Sequence, residues 1–238
     1  MTLNGTSVTT DSRPIALITG ATRGIGKAIA IALAPSHHLI LHGRERALLE
    51  ASANELPSAE VLTGDLTHDD VVESLELPEK LDVLVHAAGA YVGSTIESAT
   101  VAEWRRIFDI NVFAAANLTR HAMPSLRNAR GLVVFINSAA GFVANPGWGL
   151  YAASKFALRA TADSLRAEIE STGVRVTSVY PARTDTDMQH EVVATRGEVY
   201  DAKRFLAPDE IAAMVRAVVD LPATAVVENL TIRTMPRG

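Results

Sequence analysis

Short apolar runs alternate with longer segments of helical periodicity along almost the whole chain. The runs are rich in Val, Ile and Leu, and they predict buried strands at residues 15–19, 39–42, 59–62, 82–86, 132–137, 174–180 and 230–234. Strands that are apolar on both faces and separated by helices are typical of parallel sheets, because parallel neighbours need a crossover connection. The pattern therefore predicts a single-domain α/β fold, a doubly wound sheet of about seven parallel strands with helices on both faces.

Three apolar stripes mark the predicted helices. Their members are Trp104, Ile107, Phe108, Ala115 and Leu118; Leu158, Ala162, Leu165 and Ile169; and Ile211, Met214, Val215 and Val218. No linker, repeat or low-complexity stretch interrupts the alternation, so residues 14–238 are expected to form one domain. Residues 1–13 are rich in Thr and Ser without the apolar core of a signal peptide, and we expect a short mobile tail on a cytoplasmic protein.

Composition excludes several classes of protein. With no Cys, the chain has no disulfide, thiolate metal site or cysteine nucleophile, and no metal ion is expected. The net charge of −5 and the pI near 5.8 argue against a general nucleic-acid binder. No apolar run approaches the roughly 18–20 residues that span a bilayer, so no membrane partner is expected.

A glycine-rich segment follows the first predicted strand directly. It reads Thr19-Gly20-Ala21-Thr22-Arg23-Gly24-Ile25-Gly26 and leads into a predicted helix. At such a junction the free N–H groups and the positive end of the helix dipole favour an anion. Gly20 permits the sharp turn, Gly24 lets the main chain approach a pyrophosphate, and Gly26 lets helix and strand pack closely. Glycines can also simply punctuate a turn, but the position at the first strand and helix favours dinucleotide binding.

Tyr151 and Lys155 form a Y-x-x-x-K pair, whose spacing places both side chains on one face of a helix. A tyrosine with a reference pKa of about 10 is a poor base at neutral pH. A neighbouring ammonium favours the phenolate, so we expect Lys155 to lower the pKa of Tyr151 toward the working range. The alternative is an ordinary exposed Tyr–Lys pair without a chemical role.

Two further polar residues, Ser138 and Asn111, lie at positions where an active site needs hydrogen-bonding groups. Ser138 directly follows the fifth strand, at the carboxyl edge where open α/β sheets bind ligands, and could hydrogen-bond a substrate carbonyl. Asn111 lies on the apolar face of the helix that contains Trp104, where a buried amide must be satisfied. Taken singly, Ser138 could be a loop or cap serine and Asn111 a core amide bonded to the main chain.

The end of the second strand bears on the choice of cofactor. It reads Gly43-Arg44, with no acidic residue before Glu45. In a dinucleotide fold this point meets the adenosine ribose, where Asp or Glu indicates NAD and Arg accommodates a 2′-phosphate. Arg23 is a second guanidinium that could reach the same phosphate. We therefore predict NADP(H), with solvated surface arginines as the alternative interpretation.

Together these motifs resemble the short-chain dehydrogenase/reductase family, whose glycine signature is T-G-x-x-x-G-x-G, and the resemblance covers nearly the whole chain. It implies a Rossmann-like fold and an active site in which Tyr151 is the general acid/base. Lys155 would lower the pKa of Tyr151 and bind the nicotinamide ribose, Ser138 would orient the carbonyl, and Asn111 would hold a water in a proton relay. The implied cofactor-binding residues are Gly20, Thr22, Arg23, Gly24, Ile25, Gly26, Arg44, Asp65, Leu66, Ala88, Gly89, Asn111, Tyr151, Lys155, Pro181, Thr184 and Thr186.

Two segments depart from the family's pattern. His86 and Ala87 replace the two Asn of an N-N-A-G motif, so we expect main-chain contact through Ala88-Gly89 without the usual side-chain bonds, and we interpret His86 as structural. In the segment that starts at Pro181, Ala182 replaces the Gly of P-G-x-V-x-T. The main chain at Thr184 and the Thr186 hydroxyl are still expected to lie over the nicotinamide carboxamide.

The substrate pocket is expected beside Ser138 and Tyr151, between residues 141–150 and a polar lid at 188–205. The first region contributes Phe142, Asn145 and Trp148 as predicted pocket residues. An aromatic and aliphatic wall with few polar groups suits a modest apolar carbonyl or alcohol.

The sequence thus predicts an NADP(H)-dependent oxidoreductase that interconverts a ketone or aldehyde and an alcohol by hydride transfer. One alternative is a 3-oxoacyl thioester reductase that acts on a carrier protein and needs a basic surface at the pocket mouth. Such a surface could draw on Arg105, Arg106, Arg120, Arg127 and Arg130. Another is a non-catalytic NADP-sensing regulator. The family resemblance also implies a homodimer or homotetramer, assembled through the fourth and fifth helices.

Overall fold

Seven parallel strands form one sheet. The computed structural model describes residues 13–195, 197 and 199–235, so the predicted tail at residues 1–13 lies outside the described residues except for Arg13. The strands are β1 Ile15–Thr19, β2 His38–Gly43, β3 Ala59–Thr63, β4 Val83–His86, β5 Leu132–Ile136, β6 Arg175–Pro181 and β7 Asn229–Ile232. They pair in the order β3-β2-β1-β4-β5-β6-β7. The predicted doubly wound α/β fold is confirmed.

Helices cover both faces of this sheet. They are α1 Gly24–Leu33, α2 Arg46–Asn54, α3 Asp69–Glu73, α4 Val101–Phe108, α5 Ala114–Ala129, α6 Gly149–Ile169, α7 Asp187–Thr195 and α8 Pro208–Val219. One core packs α1 and α8 against the sheet through Ile29, Leu33, Ile211 and Val215. The opposite core packs α5 and α6. No helix among the described residues has the length and apolar composition needed to cross a membrane.

The apolar stripe that predicted one helix through Trp104 and Leu118 is divided in the structure. A π-helical turn, Asp109–Phe113, separates α4 from α5. Ile107 therefore packs in a small cluster at the carboxyl edge of the sheet, whereas Leu118 packs in the core beneath the sheet. The single continuous face was wrong, because one wide turn changes the angular register of every later residue.

The order in which strands are added to the sheet reverses between β1 and β4. These two parallel strands lie side by side although two strands separate them in sequence. Ligands of open α/β sheets bind at the carboxyl ends of the strands at such a switch point. Thr19 joins the two strand ends there. Its hydroxyl accepts hydrogen bonds from the amides of Ala87 and Ala88, both at 3.1 Å, and donates to the Val85 carbonyl at 3.4 Å.

His86 fastens β4 to α5. Its Nε2 lies 2.8 Å from the Thr119 hydroxyl, which itself donates to the Ala115 carbonyl, so Nε2 carries the proton that Thr119 accepts. The ring stacks on Phe135 at 4.9 Å. Burial lowers the pKa of His86 to about 3, which keeps it neutral. These contacts support the structural interpretation of His86.

Replacing His86 by Asn should make stability less sensitive to acid. Because the folded-state pKa is lowered to about 3 from 6.5, the unfolded chain takes up the proton first, and the free energy of unfolding falls as the pH drops from about 6.5 toward 3. This residue contributes at most about 1.4 kcal/mol per pH unit to the slope. Urea denaturation between pH 7 and 5 should show a shallower slope in His86→Asn.

The matched control is His68→Asn, since His68 is exposed. It should keep the wild-type slope. An unchanged slope in His86→Asn would contradict the neutral buried state assigned to this histidine.

Candidate active site

The loop between β1 and α1 has the geometry of an anion site. Gly20 and Gly24 adopt positive φ angles of 66° and 54°, which favour glycine. A β-carbon at Gly26 would lie 2.2 Å from the Gly20 carbonyl oxygen, so the first turn of α1 packs directly on the end of β1. No side chain caps this helix at Arg23. Its first-turn N–H groups are thus left for a ligand, and the loop fits the predicted dinucleotide phosphates.

Tyr151 and Lys155 lie one turn apart at the start of α6, and both are buried. The Lys155 Nζ is 5.7 Å from the centre of the Tyr151 ring and donates a hydrogen bond to the Ile136 carbonyl at 3.1 Å. That carbonyl belongs to the last residue of β5. The end of the strand thus holds the ammonium beside the phenol, as the Y-x-x-x-K spacing predicts.

The protonation of the pair differs from the expectation that Lys155 lowers the pKa of Tyr151. Burial raises the pKa of Tyr151, opposed by a hydrogen bond with Ser138 and reinforced by Tyr91. Burial also lowers the pKa of Lys155 to about 8. The ammonium donates its hydrogen bond to the Ile136 carbonyl. With a raised pKa, Tyr151 is a protonated phenol at neutral pH and can act as an acid.

Ser138 occupies the position that the sequence predicts, directly after β5. Its Oγ accepts a hydrogen bond from the Ala140 amide at 3.1 Å and begins a short 3₁₀ turn, Ala139–Gly141. The same hydroxyl acts on Tyr151, because it lowers the pKa of the phenol against the effect of burial. A capping role and a site role therefore coincide in one residue.

Asn111 lies in the π-helical turn, and its amide is fully engaged. Oδ1 accepts from the Ala90 amide at 2.8 Å, while Nδ2 donates to the Ala90 carbonyl and to the Ser154 hydroxyl, both at 3.0 Å. Ser154 in turn donates to the Tyr151 carbonyl at 2.7 Å. A β-carbon at Gly89 would lie 3.3 Å from Asn111 Oδ1 and 3.9 Å from Lys155 Nζ. Asn111 thus ties the loop after β4 to the catalytic turn of α6.

Two aromatic rings pack around the phenol of Tyr151. Tyr91 lies 5.6 Å from Tyr151 and 5.8 Å from Trp148, and Trp148 lies 6.1 Å from Tyr151, all edge to face. Met188 and Val192 of the α7 region pack on the same cluster. The result is a largely apolar wall around one phenol, which suits an apolar carbonyl substrate.

Phe142 and Asn145 lie outside this aromatic cluster, unlike their predicted placement in the pocket wall. Phe142 packs on Tyr180 at 4.3 Å and beneath the Arg159 guanidinium at 4.4 Å. Asn145 is exposed and uses its carbonyl to accept the Trp148 amide at 3.0 Å. The 3₁₀ turn after Ser138 directs Phe142 over β6 and away from Tyr151.

The segment after β6 reaches back to the glycine loop. Thr184 is buried and donates to the Ala182 carbonyl at 3.0 Å, and Thr186 donates to the Thr184 carbonyl at 3.2 Å. A β-carbon at Gly24 would lie 3.3 Å from Thr186 Cγ2. Pro181 is the last residue of β6, whereas the sequence predicted that this strand ends at Tyr180. Of the predicted lid at 188–205, Arg196 and Glu198 lie outside the described residues.

The two arginines predicted for the 2′-phosphate have different surroundings. Arg23 forms an exposed ion pair with Asp187 of α7 at 2.9 Å. Arg44 is exposed at the end of β2, near Asp65. Burial alone would raise the pKa of Asp65, but hydrogen bonds from Thr67 and the charges of Arg44 and His68 hold it below its usual value. Leu66 is buried beside it.

Comparison with known proteins agrees with this geometry. The family model described as short chain dehydrogenase matches residues 14–197. The chain belongs to the short-chain dehydrogenase family. An uncharacterized short-chain type dehydrogenase/reductase of Sinorhizobium fredii is 31% identical over 94% of this chain and 92% of its own length.

Solved short-chain dehydrogenase structures have the same fold. An alcohol dehydrogenase of the archaeon Thermococcus sibiricus, complexed with 5-hydroxy-NADP, is 29% identical with a TM-score of 0.85, over 95% of this chain and 100% of that one. The closed form of a serine dehydrogenase complexed with NADP+ is 26% identical with a TM-score of 0.83, over 92% and 94% of the two chains.

Sequence reasoning missed three polar participants of this short-chain dehydrogenase site: Tyr91, Ser154 and the hydroxyl of Thr19. Tyr91 is a single tyrosine in a loop, with no spacing that relates it to Tyr151. Ser154 occupies a variable position inside Y-x-x-x-K, although its i+3 spacing from Tyr151 gave a usable signal. Thr19 was noted only as part of the glycine motif.

Gly26→Ala should weaken NADPH binding about tenfold or more and lower the free energy of unfolding by about 1–3 kcal/mol. The new methyl would lie 2.2 Å from a main-chain oxygen, so α1 must move away from β1. Its first-turn N–H groups would then no longer point at the phosphates of the dinucleotide. Titration calorimetry and urea denaturation measure the two effects.

Gly173→Ala is the matched control, because Gly173 has a φ of 80° at the end of α6, far from the loop. It should cost about 1 kcal/mol of stability and leave NADPH binding unchanged. Wild-type NADPH affinity in Gly26→Ala would contradict the role given to this contact.

Proposed function

We propose that this short-chain dehydrogenase is an NADP(H)-dependent enzyme that interconverts a ketone or aldehyde and an alcohol. The observation that carries the proposal is the buried Tyr151 side chain. Its ring centre lies 5.7 Å from the Lys155 Nζ, and the Ser138 hydroxyl counteracts the effect of burial on its pKa. This group and the glycine loop both lie at the carboxyl ends of the parallel strands, which is the edge where open α/β sheets bind their ligands.

The chain's own residues account for the proton transfer. In the direction of reduction, the Ser138 hydroxyl and the Tyr151 phenol both donate hydrogen bonds to the carbonyl oxygen and fix its position. Tyr151 then gives its proton to that oxygen, and its raised pKa keeps it protonated until the oxygen becomes basic. Bound NADPH supplies the hydride that reaches the carbonyl carbon. The Lys155 ammonium steadies the phenolate that remains, and Asn111 holds the loop that carries Gly89 against it.

A preference for NADP over NAD rests on Arg44, which occupies the point after β2 where an acid would otherwise contact the ribose. The Thermococcus and serine dehydrogenase structures, which this chain resembles, are complexes with NADP-type dinucleotides. Both points support NADP(H) as the cofactor.

The pocket favours small apolar carbonyl compounds. Tyr91, Trp148, Met188 and Val192 form an apolar wall, and the polar atoms directed at a ligand come from Ser138 and Tyr151. No observation favours the carrier-protein alternative. Arg127 and Arg130 lie at the end of α5 that leads into β5. They are therefore at the amino-terminal edge of the sheet, opposite the carboxyl edge where Tyr151 lies. The intact Tyr–Lys pair argues against a purely regulatory role.

The homodimer or homotetramer implied by the family stays a prediction. Phe113 and Phe156, on the faces expected to assemble, are 57% and 42% exposed in the single chain. Such exposed aromatic rings support an interface there.

Tyr151→Phe should lower kcat for carbonyl reduction by about 10²–10⁴-fold, because it removes the proton donor and little else. NADPH affinity should stay within about twofold of the wild type. Turnover over a panel of aldehydes and ketones, followed by NADPH oxidation, measures the first effect, and titration calorimetry measures the second.

Tyr180→Phe is the control, since it removes another buried phenol that lies outside the aromatic cluster of Tyr151. It should turn over like the wild type. Equal turnover in Tyr151→Phe and the wild type would remove the assigned acid, and the proposal with it.

A further inference from the structure

Asn137 lies between the two residues that the end of β5 contributes to the site. The Ile136 carbonyl before it accepts the Lys155 ammonium at 3.1 Å, and Ser138 after it supplies a hydroxyl to the site. The main-chain N–H of Asn137 donates to the Val179 carbonyl of β6 at 2.8 Å, so the residue is fixed to the sheet. Its side chain is buried and has no part in the proton transfer proposed above.

The side-chain amide of Asn137 is directed at α6. Its Nδ2 donates a hydrogen bond to the main-chain carbonyl of Lys155 at 3.2 Å. Two consecutive residues thus hold one lysine at both ends, Ile136 at the ammonium and Asn137 at the main chain. A lysine side chain has several rotatable bonds, so fixing its main chain relative to the acceptor limits where the ammonium can lie.

The 3₁₀ turn Ala139–Gly141 encloses this contact. A β-carbon at Gly141 would lie 2.9 Å from Asn137 Oδ1 and 3.2 Å from the Lys155 carbonyl oxygen. The turn therefore packs bare main chain against both groups, and Gly141 is itself buried. Because the Gly141 amide donates to the Ser138 carbonyl at 2.8 Å, a shift of α6 would also disturb the turn that this serine begins.

The stability of the fold does not account for a carboxamide at this position. Within residues 13–195, 197 and 199–235, Asn137 Oδ1 has no hydrogen-bond partner. A buried acceptor without a partner costs free energy, so an amide here is a poor means of stabilising the sheet. What the amide provides is the donor at the Lys155 carbonyl.

We propose that Asn137 is a positioning residue, which holds the first turns of α6 against the end of β5 and so keeps the Lys155 ammonium beside Tyr151. Asn111 reaches the Tyr151 carbonyl, one turn earlier, through the Ser154 hydroxyl. The main chain of each member of the Tyr–Lys pair is thus tied to an amide side chain from outside α6. Asn137 acts on the reaction through Lys155, and this inference therefore rests on the proposed function.

Asn137→Ala removes the donor, and two measurements should change. Carbonyl reduction should lose about tenfold to a hundredfold in kcat, because small displacements of catalytic groups are costly, while KM for the carbonyl stays within about twofold. In the ligand-free protein, the midpoint of the Lys155 ε-carbon signal should rise from about 8 toward 10.5, because an ammonium that leaves its buried carbonyl is better solvated. A purely structural residue would lower the melting temperature and move neither value.

Gly141→Ala provides a second, independent variant. The new methyl would press on Asn137 Oδ1, so this variant alone should also lower kcat and raise the Lys155 midpoint. In the double variant with Asn137→Ala, the methyl enters space that the amide has left, and Gly141→Ala should then cost less than about twofold in kcat. Losses that simply multiply would mean that the two residues act separately, which overturns the inference.

Asn128→Ala is the matched control, because Asn128 Nδ2 donates to the Glu79 carbonyl at 2.9 Å on an exposed part of α5. It removes the same kind of bond, and it should keep the wild-type kcat and the wild-type Lys155 midpoint. Thermal denaturation should show that every variant is folded. If kcat falls in Asn137→Ala while the Lys155 midpoint stays at about 8, Asn137 does not act through the ammonium, and the inference is overturned.

The outcomes also separate this inference from the proposed function. If the wild type reduces carbonyl compounds and Asn137→Ala matches it in kcat and in the Lys155 midpoint, the proposed function stands and the inference fails. If the wild type reduces none of them but the Lys155 midpoint still rises in Asn137→Ala, the proposed function fails while the positioning contact is supported.

Discussion

A buried ammonium held by a single carbonyl organises the chemistry of this protein. Lys155 is 4% exposed, and its Nζ donates to the Ile136 carbonyl at the last residue of β5. Burial of a cation is costly, and its pKa is lowered to about 8 as a result. The cation is positioned because α6 starts beside that strand end, which fixes Tyr151 one turn away. The phenol, the ammonium and Ser138 are thus located by β5 and by the first turns of one helix.

The second half of the site depends on a close approach of helix to strand. Gly26 lets α1 touch the main chain at the end of β1, and this contact directs uncapped N–H groups into the crevice beside β4. Asn111 connects the two halves, because its amide bonds to Ala90 after β4 and to Ser154 on α6. Asn111 can reach both the loop after β4 and α6 because it lies in the π-helical turn, where the helix is locally wider. Substrate chemistry and dinucleotide binding therefore share one set of main-chain contacts.

The sequence was most informative where a single physical rule decides the outcome. Strands buried on both faces must be apolar throughout, and runs of apolar residues predicted the five inner strands for this reason. The runs also marked the two edge strands, β3 and β7, which are only partly buried. The spacing of Tyr151 and Lys155 predicted that they lie on one face of a helix. The apolar periodicity wrongly predicted one continuous helix across the junction of α4 and α5, because a π-helical turn has no characteristic pattern of apolar residues. Closeness in sequence to Ser138 wrongly placed Phe142 beside Tyr151. A 3₁₀ turn directs Phe142 onto Tyr180, whereas Trp148 packs on Tyr151. Tyr91 joins the site only through tertiary contacts, which no local pattern encodes.

Direct titration of Lys155 tests the buried ammonium on which the rest depends. The chain has four lysines, so the ε-carbon signals of selectively labelled protein can be assigned with a Lys155→Arg variant. In the ligand-free protein the signal of Lys155 should titrate with a midpoint of about 8. A midpoint at the ordinary value of 10.5 would show an exposed amine, and would contradict its place between the end of β5 and the phenol.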